Sequence, residues 1–341
     1  MRFVTCVSIK KNIMDKLIVR FAEQLREALE IGKKAVIRKP ERPIHQVYIA
    51  GLGGSGIGGN FAAEFTSEKC PVPIHVGKGY SVPKYINDYT LVIVSSYSGN
   101  TEETLACLEQ LLKTNAHIVC ITSGGKLREI AGEKGLDCIL IPDDWPSPRA
   151  CLGYSMVQQL CVLHYCGLIS DEVRGQSEAA AELLDREEDD MQTRARQIAG
   201  MLHGKTPVIY IADRMEAVAV RFRQQINENS KMLCWHHVIP EMNHNELVGW
   251  RDQRNDLAVV LFRNRDDHPR IQMRMAINKE IITEYTDSWI EVFSKGTSHI
   301  QRAIYLIHLG DWISFYLAEM RNMDPIEVRV IDFLKGELAR M

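Results

Sequence analysis

Short β-rich segments alternate with helix-like segments along most of this 341-residue chain. In the first half, strands are predicted at residues 46–50, 74–76, 91–96, 117–122 and 138–142. Helices are predicted between them at residues 57–69, 101–114 and 126–135. Such alternation is typical of βαβ units, whose strands form a parallel sheet. The pattern therefore predicts an α/β fold with a doubly wound, mostly parallel sheet flanked by helices.

The alternation stops near residue 143 and starts again after residue 205. Residues 143–150 contain two prolines, and a long helical stretch at about 154–202 follows. Further strands are predicted at residues 206–213, 232–239, 257–262 and 287–293, with helices at 215–231, 298–320 and 325–339. We therefore expect two similar domains in tandem. The predicted division is an N-terminal arm and helix at residues 1–44, a first domain at 45–153, a helical connection at 154–204 and a second domain at 205–341.

The overall charge and the cysteines argue against several classes of protein. The net charge of −3 at pH 7 is unlike that of a nucleic-acid-binding protein, which usually carries a basic face. The nine cysteines are scattered, without a C-x-x-C pair or a zinc-like spacing, as in cytosolic proteins with reduced and mostly buried thiols. We expect a cytoplasmic location on the ground of these thiols. No stretch approaches about 18 consecutive apolar residues, so we expect no membrane span.

A glycine-rich loop, GLGGSGIGGN at residues 51–60, directly follows the first predicted strand. It matches the dinucleotide fingerprint G-x-G-x-x-G at Gly51, Gly53 and Gly56. A dinucleotide site also needs an acidic residue at the end of the second strand, to bind the ribose. The second strand here ends in Gly77-Lys78-Gly79, without an acid. The loop therefore fits another phosphate ligand better, and a tight turn without a ligand is the alternative.

The third predicted strand runs into a loop rich in hydroxyl groups, SSYSGNTEETL at residues 95–105. Asn100 or Thr101 is expected to cap the following helix. A cap needs one such side chain, so the other hydroxyls indicate a ligand with several acceptor oxygens, such as a phosphate monoester. The fourth strand ends in a similar loop, ITSGGKL at residues 121–127. Ligands bind at this edge of open α/β sheets.

Together, the glycine loop and the serine–threonine loop closely resemble those of the sugar-isomerase (SIS) domain family. The resemblance implies two tandem SIS domains and a phosphosugar as the small-molecule ligand. By the same resemblance, the phosphate is bound by Ser55, Ser96, Ser98 and Thr101. Gly54 and Gly56 would let the backbone approach the sugar.

Two polar stretches in the second half carry further candidate residues. Glu228 lies near the end of a predicted helix, in NENSK at residues 227–231, where a solvated helix-end glutamate is the simpler interpretation. The loop PEMNHNELVGW at residues 240–250 places His244 between two asparagines. This arrangement suggests an imidazole that amide hydrogen bonds hold in one orientation.

A metal site near this loop is the less favoured alternative. The potential ligands that lie close together in the sequence are His236, His237, Glu241, His244 and Glu246. Their spacings match no standard set of zinc ligands, and neighbouring residues on a strand face opposite ways. We therefore expect no metal, and we expect His236 and His237 to be one core and one surface histidine.

Six segments resemble, in the same order, the bifunctional phosphoglucose/phosphomannose isomerase branch of the SIS family. They are the glycine loop, the serine–threonine loop, PRACLGY (148–154), NENSK, PEMNHNELVGW and the lysine of VIDFLKGEL (330–338). The resemblance covers roughly residues 14–341 and implies interconversion of glucose 6-phosphate and mannose 6-phosphate with fructose 6-phosphate. Such an aldose–ketose isomerisation moves a proton between C2 and C1 through a cis-enediol, without a metal or redox cofactor.

The resemblance also implies roles for the candidate residues. Glu228 would transfer the proton, and Arg149 would stabilise the enediolate with a charge that is always present. His244, assisted by Lys335, would open the sugar ring. The residues alone leave open a surface loop arginine for Arg149 and a dipole-complementing lysine for Lys335. In the family the histidine comes from the neighbouring subunit, which implies a homodimer with active sites at the interface.

Two other classes of function remain open at this point: another SIS-family phosphosugar enzyme, and a non-catalytic phosphosugar-binding protein. The residues before the first strand predict about one long helix, which is less than the helix-turn-helix domain that such binding proteins usually carry. The isomerase is therefore the expected function.

Overall fold

The computed structural model describes residues 7–338 and 340, which form two compact units. The first unit contains residues 20–185 and 297–301. The second contains the described residues up to 19, residues 186–296 and the described residues from 302 onward. Residues 1–6, part of the predicted N-terminal arm, lie outside the described residues.

Helices and strands alternate along both halves of the chain. The helices are α1 (Val7–Val19), α2 (Phe21–Lys34), α3 (Gly53–Thr66), α4 (Glu102–Leu111), α5 (Gly125–Lys134), α6 (Leu152–Tyr165), α7 (Glu172–Leu202), α8 (Glu216–Ser230), α9 (Pro269–Ile282), α10 (His299–Met320) and α11 (Arg329–Leu338). The strands are β1 (Gln46–Ala50), β2 (Ile74–Gly77), β3 (Thr90–Ser96), β4 (His117–Thr122), β5 (Asp137–Leu140), β6 (Thr206–Ala212), β7 (Trp235–Ile239), β8 (Leu257–Arg263) and β9 (Trp289–Phe293).

The sheet of the first unit has the strand order β2-β1-β3-β4-β5, and all neighbours are parallel. At the carboxyl end of β1, Ala50 pairs with Gly77 of β2 on one side and with Val94 of β3 on the other. The chain therefore reverses its direction across the sheet between β1 and β3. In open α/β sheets this reversal leaves a crevice at the carboxyl ends of the strands, where ligands bind.

β3 is buried along its whole length, from Thr90 to Ser96. On one face, Val92 and Val94 lie in a core cluster with Leu108 and Leu111 of α4. Strands that are covered on both faces are typical of parallel sheets, which explains the continuous apolar sequence of this segment.

α3 begins at Gly53, earlier than the predicted start at residue 57. Glycines disfavour a helix by about 1 kcal/mol each, so the local sequence suggested a loop. Close packing outweighs this propensity. A Cβ on Gly58 would lie 2.6 Å from Oγ of Ser155 in α6, and one on Gly59 would lie 3.1 Å from side chains of β1 and β2.

The sheet of the second unit has the order β7-β6-β8-β9 and is also parallel throughout. The expectation of two domains, each with a parallel sheet flanked by helices, is confirmed. The predicted helical stretch at 154–202 consists of two helices, α6 and α7, and Gly167 lies between them with φ +76°. The sequence did not predict α9, because few of its apolar side chains are buried and they form a narrow stripe: Ile271, Met275 and Ile282.

Among the described residues, the helices are all too short or too polar to span a bilayer.

A buried ion pair joins α8 to α10 in the second unit. Nη2 of Arg221 donates to Oδ2 of Asp311 at 2.9 Å, and the two side chains are 3% and 10% exposed. Removing one partner from such a pair leaves a buried charge without compensation, which costs about 3–5 kcal/mol.

We predict that Asp311→Ala lowers the opening free energy of α8 and α10 by about 3–5 kcal/mol, because Arg221 stays buried. Native-state hydrogen exchange of the amides in both helices measures this free energy. Asp256→Ala is the matched control, because the pair between Arg254 and Asp256 is 48% and 62% exposed. Such an exposed pair contributes less than about 1 kcal/mol. Equal protection in the two variants contradicts the prediction.

Candidate active site

The glycine loop after β1 brings several backbone segments close together. The amide of Gly51 donates to the carbonyl of Gly77 at 3.2 Å. A Cβ on Gly51 would lie 2.9 Å from the carbonyl oxygen of Ser95, and one on Gly56 would lie 2.5 Å from that of Gly51. No side chain fits at either position. Glycine at both positions lets the backbone turn tightly, so α3 starts directly at the carboxyl edge of the sheet. The positive end of its dipole therefore lies where ligands of such sheets bind.

The first turn of α3 contains three of the predicted ligand-binding residues, Gly54, Ser55 and Gly56. Two side chains of α6 hold the backbone of this turn. Oγ of Ser155 donates to the carbonyl of Gly54 at 3.0 Å, and Nε2 of Gln159 donates to the carbonyl of Ser55 at 3.0 Å. The turn is therefore fixed through its carbonyl groups.

The serine–threonine loop, residues 95–101, joins β3 to α4 and carries the other predicted phosphate ligands. Ser96 is buried and Ser98 is exposed. Oγ of Ser96 and Oγ1 of Thr101 lie 2.9 Å apart. Thr101 occupies the N-cap position, but its side chain makes no capping hydrogen bond to α4. Because its hydroxyl lies against Ser96 instead, a ligand can take the place of the cap at the start of α4.

The loop after β4, residues 122–126, supports the serine–threonine loop. A Cβ on Gly99, where φ is +66°, would lie 1.8 Å from the carbonyl oxygen of Gly124. The amide of Lys126 donates to Oδ1 of Asn100 at 3.1 Å. Oγ of Ser123 donates to the carbonyl of Tyr97 at 2.7 Å. The hydroxyl of Ser123 made this loop resemble a ligand site. It instead fixes the serine–threonine loop.

Arg149 lies in a short 3-10 turn, Pro148–Ala150, and is 9% exposed. The interpretation as a surface loop arginine is therefore wrong. Gln24 of α2 fixes this turn, because its Nε2 donates to the carbonyl of Ala150 at 2.8 Å and its Oε1 accepts from the amide of Gly153 at 2.7 Å. Gln24 was not predicted as part of the site, although a glutamine on the apolar face of a helix is a signal for such a role.

Lys78 is a second residue that the sequence analysis did not assign to the site. It directly follows β2, at the same edge of the sheet as the glycine loop. Its Cε lies 3.4 Å from where a Cβ on Gly56 would be, so the lysine stem crosses the first turn of α3. The signal in the sequence is its position, since Lys78 stands where a dinucleotide-binding protein has its acidic residue.

Glu228 lies half-buried in the last turn of α8, which ends at Ser230. Both flanking asparagines are engaged elsewhere. Nδ2 of Asn227 donates to the carbonyl of Met232 at 2.6 Å, and Nδ2 of Asn229 donates to Oγ of Ser314 at 2.9 Å. These bonds fix the backbone on both sides of the glutamate.

His244 is exposed at the end of a 3-10 turn, Glu241–His244, after β7. The prediction that the two neighbouring asparagines hold its imidazole is wrong. Asn243 donates to Oδ1 of Asn278 in α9 at 2.6 Å, and Asn245 donates to Oε1 of Glu241 at 2.9 Å. Asparagine side chains often bond to nearby backbone and loop groups. Here they bond to Asn278 and Glu241 and not to the imidazole.

His236 and His237 face opposite sides of β7, but neither is a core or a fully exposed histidine. Their side chains are 12% and 26% exposed. Nε2 of His236 lies 3.5 Å from Oε1 of Glu216, and burial lowers the pKa of this imidazole. Nδ1 of His237 lies 2.8 Å from Oε2 of Glu246. Within residues 7–338 and 340, no group of three potential metal ligands is arranged to hold an ion.

The predicted residues of the second unit lie on three different elements. Glu228 ends α8, His244 follows β7, and Lys335 is exposed in the last turn of α11. In the first unit, the glycine loop, the serine–threonine loop and the arginine turn all follow strands of one sheet. The turn of Arg149 lies beside the glycine loop, since a Cβ on Gly54 would be 3.4 Å from the carbonyl oxygen of Pro148.

Two family models match the chain, one in each half. The SIS domain matches residues 42–151, and the bacterial phospho-glucose isomerase C-terminal SIS domain matches residues 191–338. A bifunctional phosphoglucose/phosphomannose isomerase from Caldicellulosiruptor bescii is 38% identical over 338 residues, which cover 96% of this chain and 99% of that protein. The chain belongs to the bifunctional phosphoglucose/phosphomannose isomerase family.

Relatives of this isomerase family extend to other phosphosugar enzymes. A D-glucosamine-6-phosphate 4-epimerase from Sulfolobus acidocaldarius is 31% identical over 292 residues, which cover 84% of this chain and 89% of that protein. The C-terminal domain of glucosamine-fructose-6-phosphate aminotransferase from Francisella tularensis has a TM-score of 0.73 at 14% identity. That comparison covers 91% of this chain and 96% of the solved one, and it shows that the fold is shared.

We predict that Gly99→Ala destabilises the first unit of this family member by at least about 2 kcal/mol, because the new Cβ meets a backbone oxygen and the residue keeps a positive φ. Native-state hydrogen exchange of the amides in β3 and β4 measures the loss. Gly79→Ala is the matched control, since nothing lies within 4 Å of its Cβ position and its stability is expected to match the wild type. A Gly99→Ala variant as stable as the control contradicts the interlock of the two loops.

Proposed function

We propose that this chain is an aldose–ketose isomerase that interconverts glucose 6-phosphate and mannose 6-phosphate with fructose 6-phosphate. The observation that carries the proposal is the start of α4, which has no side-chain cap and brings the hydroxyls of Ser96 and Thr101 together. The chain that carries it is 38% identical over 338 residues to a bifunctional phosphoglucose/phosphomannose isomerase. A helix start with free amides and several hydroxyls suits a phosphate monoester.

In this proposal the phosphate lies between the starts of α3 and α4. Its oxygens accept hydrogen bonds from the side chains of Ser55, Ser96, Ser98 and Thr101. Gly54 and Gly56 let the backbone come close to the sugar. The first turn of α4 also carries Glu102 and Glu103, whose charges repel an anion. The cations Arg149 and Lys78 offset that repulsion.

Glu228 is the proposed proton-transfer base. It removes the proton from C2 of the open-chain aldose, the C2–H electron pair forms the C1=C2 bond, and the carbonyl oxygen on C1 becomes negatively charged. A proton then moves from the hydroxyl on C2 to the oxygen on C1, which leaves the negative charge on the C2 oxygen. Glu228 returns its proton to C1, the C1=C2 pair forms the C1–H bond, and the C2 oxygen becomes the carbonyl of the ketose. The guanidinium of Arg149 stabilises the negative oxygen, because it stays charged whatever the local field.

The same intermediate explains how one site serves two aldoses. Glucose 6-phosphate and mannose 6-phosphate differ only in configuration at C2, and this centre is planar in the enediolate. Rotation about C2–C3 allows a proton to reach either face, so the second substrate needs room in the pocket rather than a further catalytic group. Proton transfer of this kind uses no electron acceptor, and we propose no cofactor.

Ring opening precedes isomerisation, because both aldoses arrive as closed rings. We propose that His244 moves the proton between the ring oxygen and the C1 hydroxyl, with Lys335 near the ring oxygen. The imidazole of His244 is exposed, and the residues on both sides of His244 are fixed. This arrangement suits an imidazole that enters the active site of a second copy of the chain. The proposed assembly is therefore a homodimer with active sites at the interface. Separately, we propose that the protein is located in the cytoplasm.

The first test is formation of fructose 6-phosphate by the purified protein, from glucose 6-phosphate and separately from mannose 6-phosphate, each with a chelator present. Turnover of both supports the proposal. Conversion of glucosamine 6-phosphate at C4 instead would favour an epimerase, the activity for which the relative from Sulfolobus acidocaldarius is named. Binding of phosphosugars without turnover would favour a non-catalytic binding protein.

We predict that Glu228→Gln lowers kcat for both aldoses by at least about 100-fold, because the amide cannot accept the C2 proton. Binding of fructose 6-phosphate, measured by calorimetry, is expected to stay within about threefold of the wild type, since the change keeps the shape of the side chain. Glu216→Gln, in the first turn of the same helix, is the control and is expected to retain activity. A Glu228→Gln variant that isomerises normally refutes the assignment of the base.

We predict that Lys78→Met raises KM for each phosphosugar about tenfold and leaves kcat nearly unchanged, because the cation contacts the bound anion in all states. A charge-assisted contact of this kind is worth about 1.5–3 kcal/mol, which corresponds to tenfold or more. Lys78→Arg is expected to keep most of the affinity. Lys84→Met, an exposed lysine between β2 and β3, is the control. Unchanged KM in Lys78→Met removes Lys78 from the site.

A further inference from the structure

The structure assigns Glu246 as a positioning residue, whose carboxylate holds the loop that carries His244 in one conformation. The inference rests on the proposed function only for the reaction step that His244 serves. Glu246 and His244 belong to the same loop, which connects β7 to β8 in the second unit.

The carboxylate of Glu246 receives hydrogen bonds from two strands. Its Oε1 accepts from the hydroxyl of Tyr210 at 2.7 Å and from Nε1 of Trp235 at 3.0 Å. Its Oε2 lies 2.8 Å from Nδ1 of His237. Tyr210 is on β6, and Trp235 and His237 are on β7. A carboxylate with three donors has little freedom left, because moving it breaks charge-assisted hydrogen bonds.

The donor of the shortest of these bonds, Tyr210, is itself fixed. Tyr210 is fully buried, and its hydroxyl accepts from Nε1 of Trp250 at 3.1 Å. Burial and the charge of Glu246 raise the pKa of Tyr210, so the phenol keeps its proton and remains a donor to the carboxylate. Trp250 directly follows the second 3-10 turn of the same loop and is 7% exposed. The network therefore ties Trp250, as well as Glu246, to the core of the sheet.

Asn245 carries this constraint to both sides of His244. Its Oδ1 accepts from the amide of Glu246 at 2.6 Å, and its Nδ2 donates to Oε1 of Glu241 at 2.9 Å. Asn243, which directly precedes His244, bonds to Asn278 of α9. His244 thus has a fixed backbone and an exposed imidazole. A proton-transfer group must be held to within a fraction of an ångström, and a shift of about 1 Å can cost 100-fold in rate.

The test compares Glu246→Gln with Glu241→Gln, a change of the same kind in the same loop. Glutamine in place of Glu246 removes the negative charge that strengthens these hydrogen bonds and replaces one acceptor oxygen with an NH2 group, whereas glutamine in place of Glu241 can still accept from Asn245. The measured step is the interconversion of the α and β anomers of glucose 6-phosphate, followed by exchange NMR. This step requires ring opening and does not require proton transfer at C2.

Glu246→Gln is expected to slow anomer interconversion by about tenfold to 100-fold, with KM for fructose 6-phosphate within about twofold of the wild type. Glu241→Gln is expected to behave like the wild type. Trp235→Phe removes one of the three donors and keeps the carboxylate, so an intermediate loss is expected. It also serves as the second variant if Glu246→Gln does not fold.

A signal from His244 itself makes the result independent of activity. In protein with 13C-labelled histidine, assigned by comparison with His244→Asn, the imidazole signal of His244 is expected to move toward its random-coil position in Glu246→Gln only. An unchanged signal, or equal effects in Glu246→Gln and Glu241→Gln, overturns the inference. If the wild type converts no phosphosugar but the signal still moves, the positioning of the loop stands and the proposed function fails.

Discussion

The approach of Gly51 to Ser95, backbone against backbone, is the constraint on which the candidate site depends. β1 and β3 are neighbours in a parallel sheet, so the helices that follow them start at the same edge. The missing Cβ on Gly51 lets the glycine loop and the serine–threonine loop meet there. The positive ends of α3 and α4 therefore lie side by side, and their fields add at a position that an anion can occupy.

In both units, buried polar side chains from outside the loops fix the loops that carry candidate residues. Gln24 holds the arginine turn, and Gln159 holds the start of α3. Tyr210 does the same for the loop of His244, through Glu246. These partners are distant in sequence and reach the loops only through the fold. The same holds for Asn243, whose partner Asn278 lies on α9 and cannot be recognised from the loop residues alone.

The sequence predicted most of the strands, because hydrophobic segments of four to eight residues between turns have few other uses in a βαβ pattern. It also predicted the serine–threonine loop as a group, since hydroxyls at a strand end are a local signal. It failed where packing decides. Gly58 and Gly59 form a helix against their propensity, and Arg149 is buried although its sequence surroundings are typical of a surface loop.

The interlock of Gly99 with Gly124 has an evolutionary consequence. The space beside Gly99 is filled by a backbone oxygen rather than by a side chain. A second mutation elsewhere cannot shorten a carbonyl group, so a larger residue at this position requires the backbone itself to move. Substitutions are therefore easier to accept on the other loops of this edge than at Gly99. Such a division suits a fold whose relatives are named for different reactions of phosphosugars, an isomerase and a 4-epimerase among them.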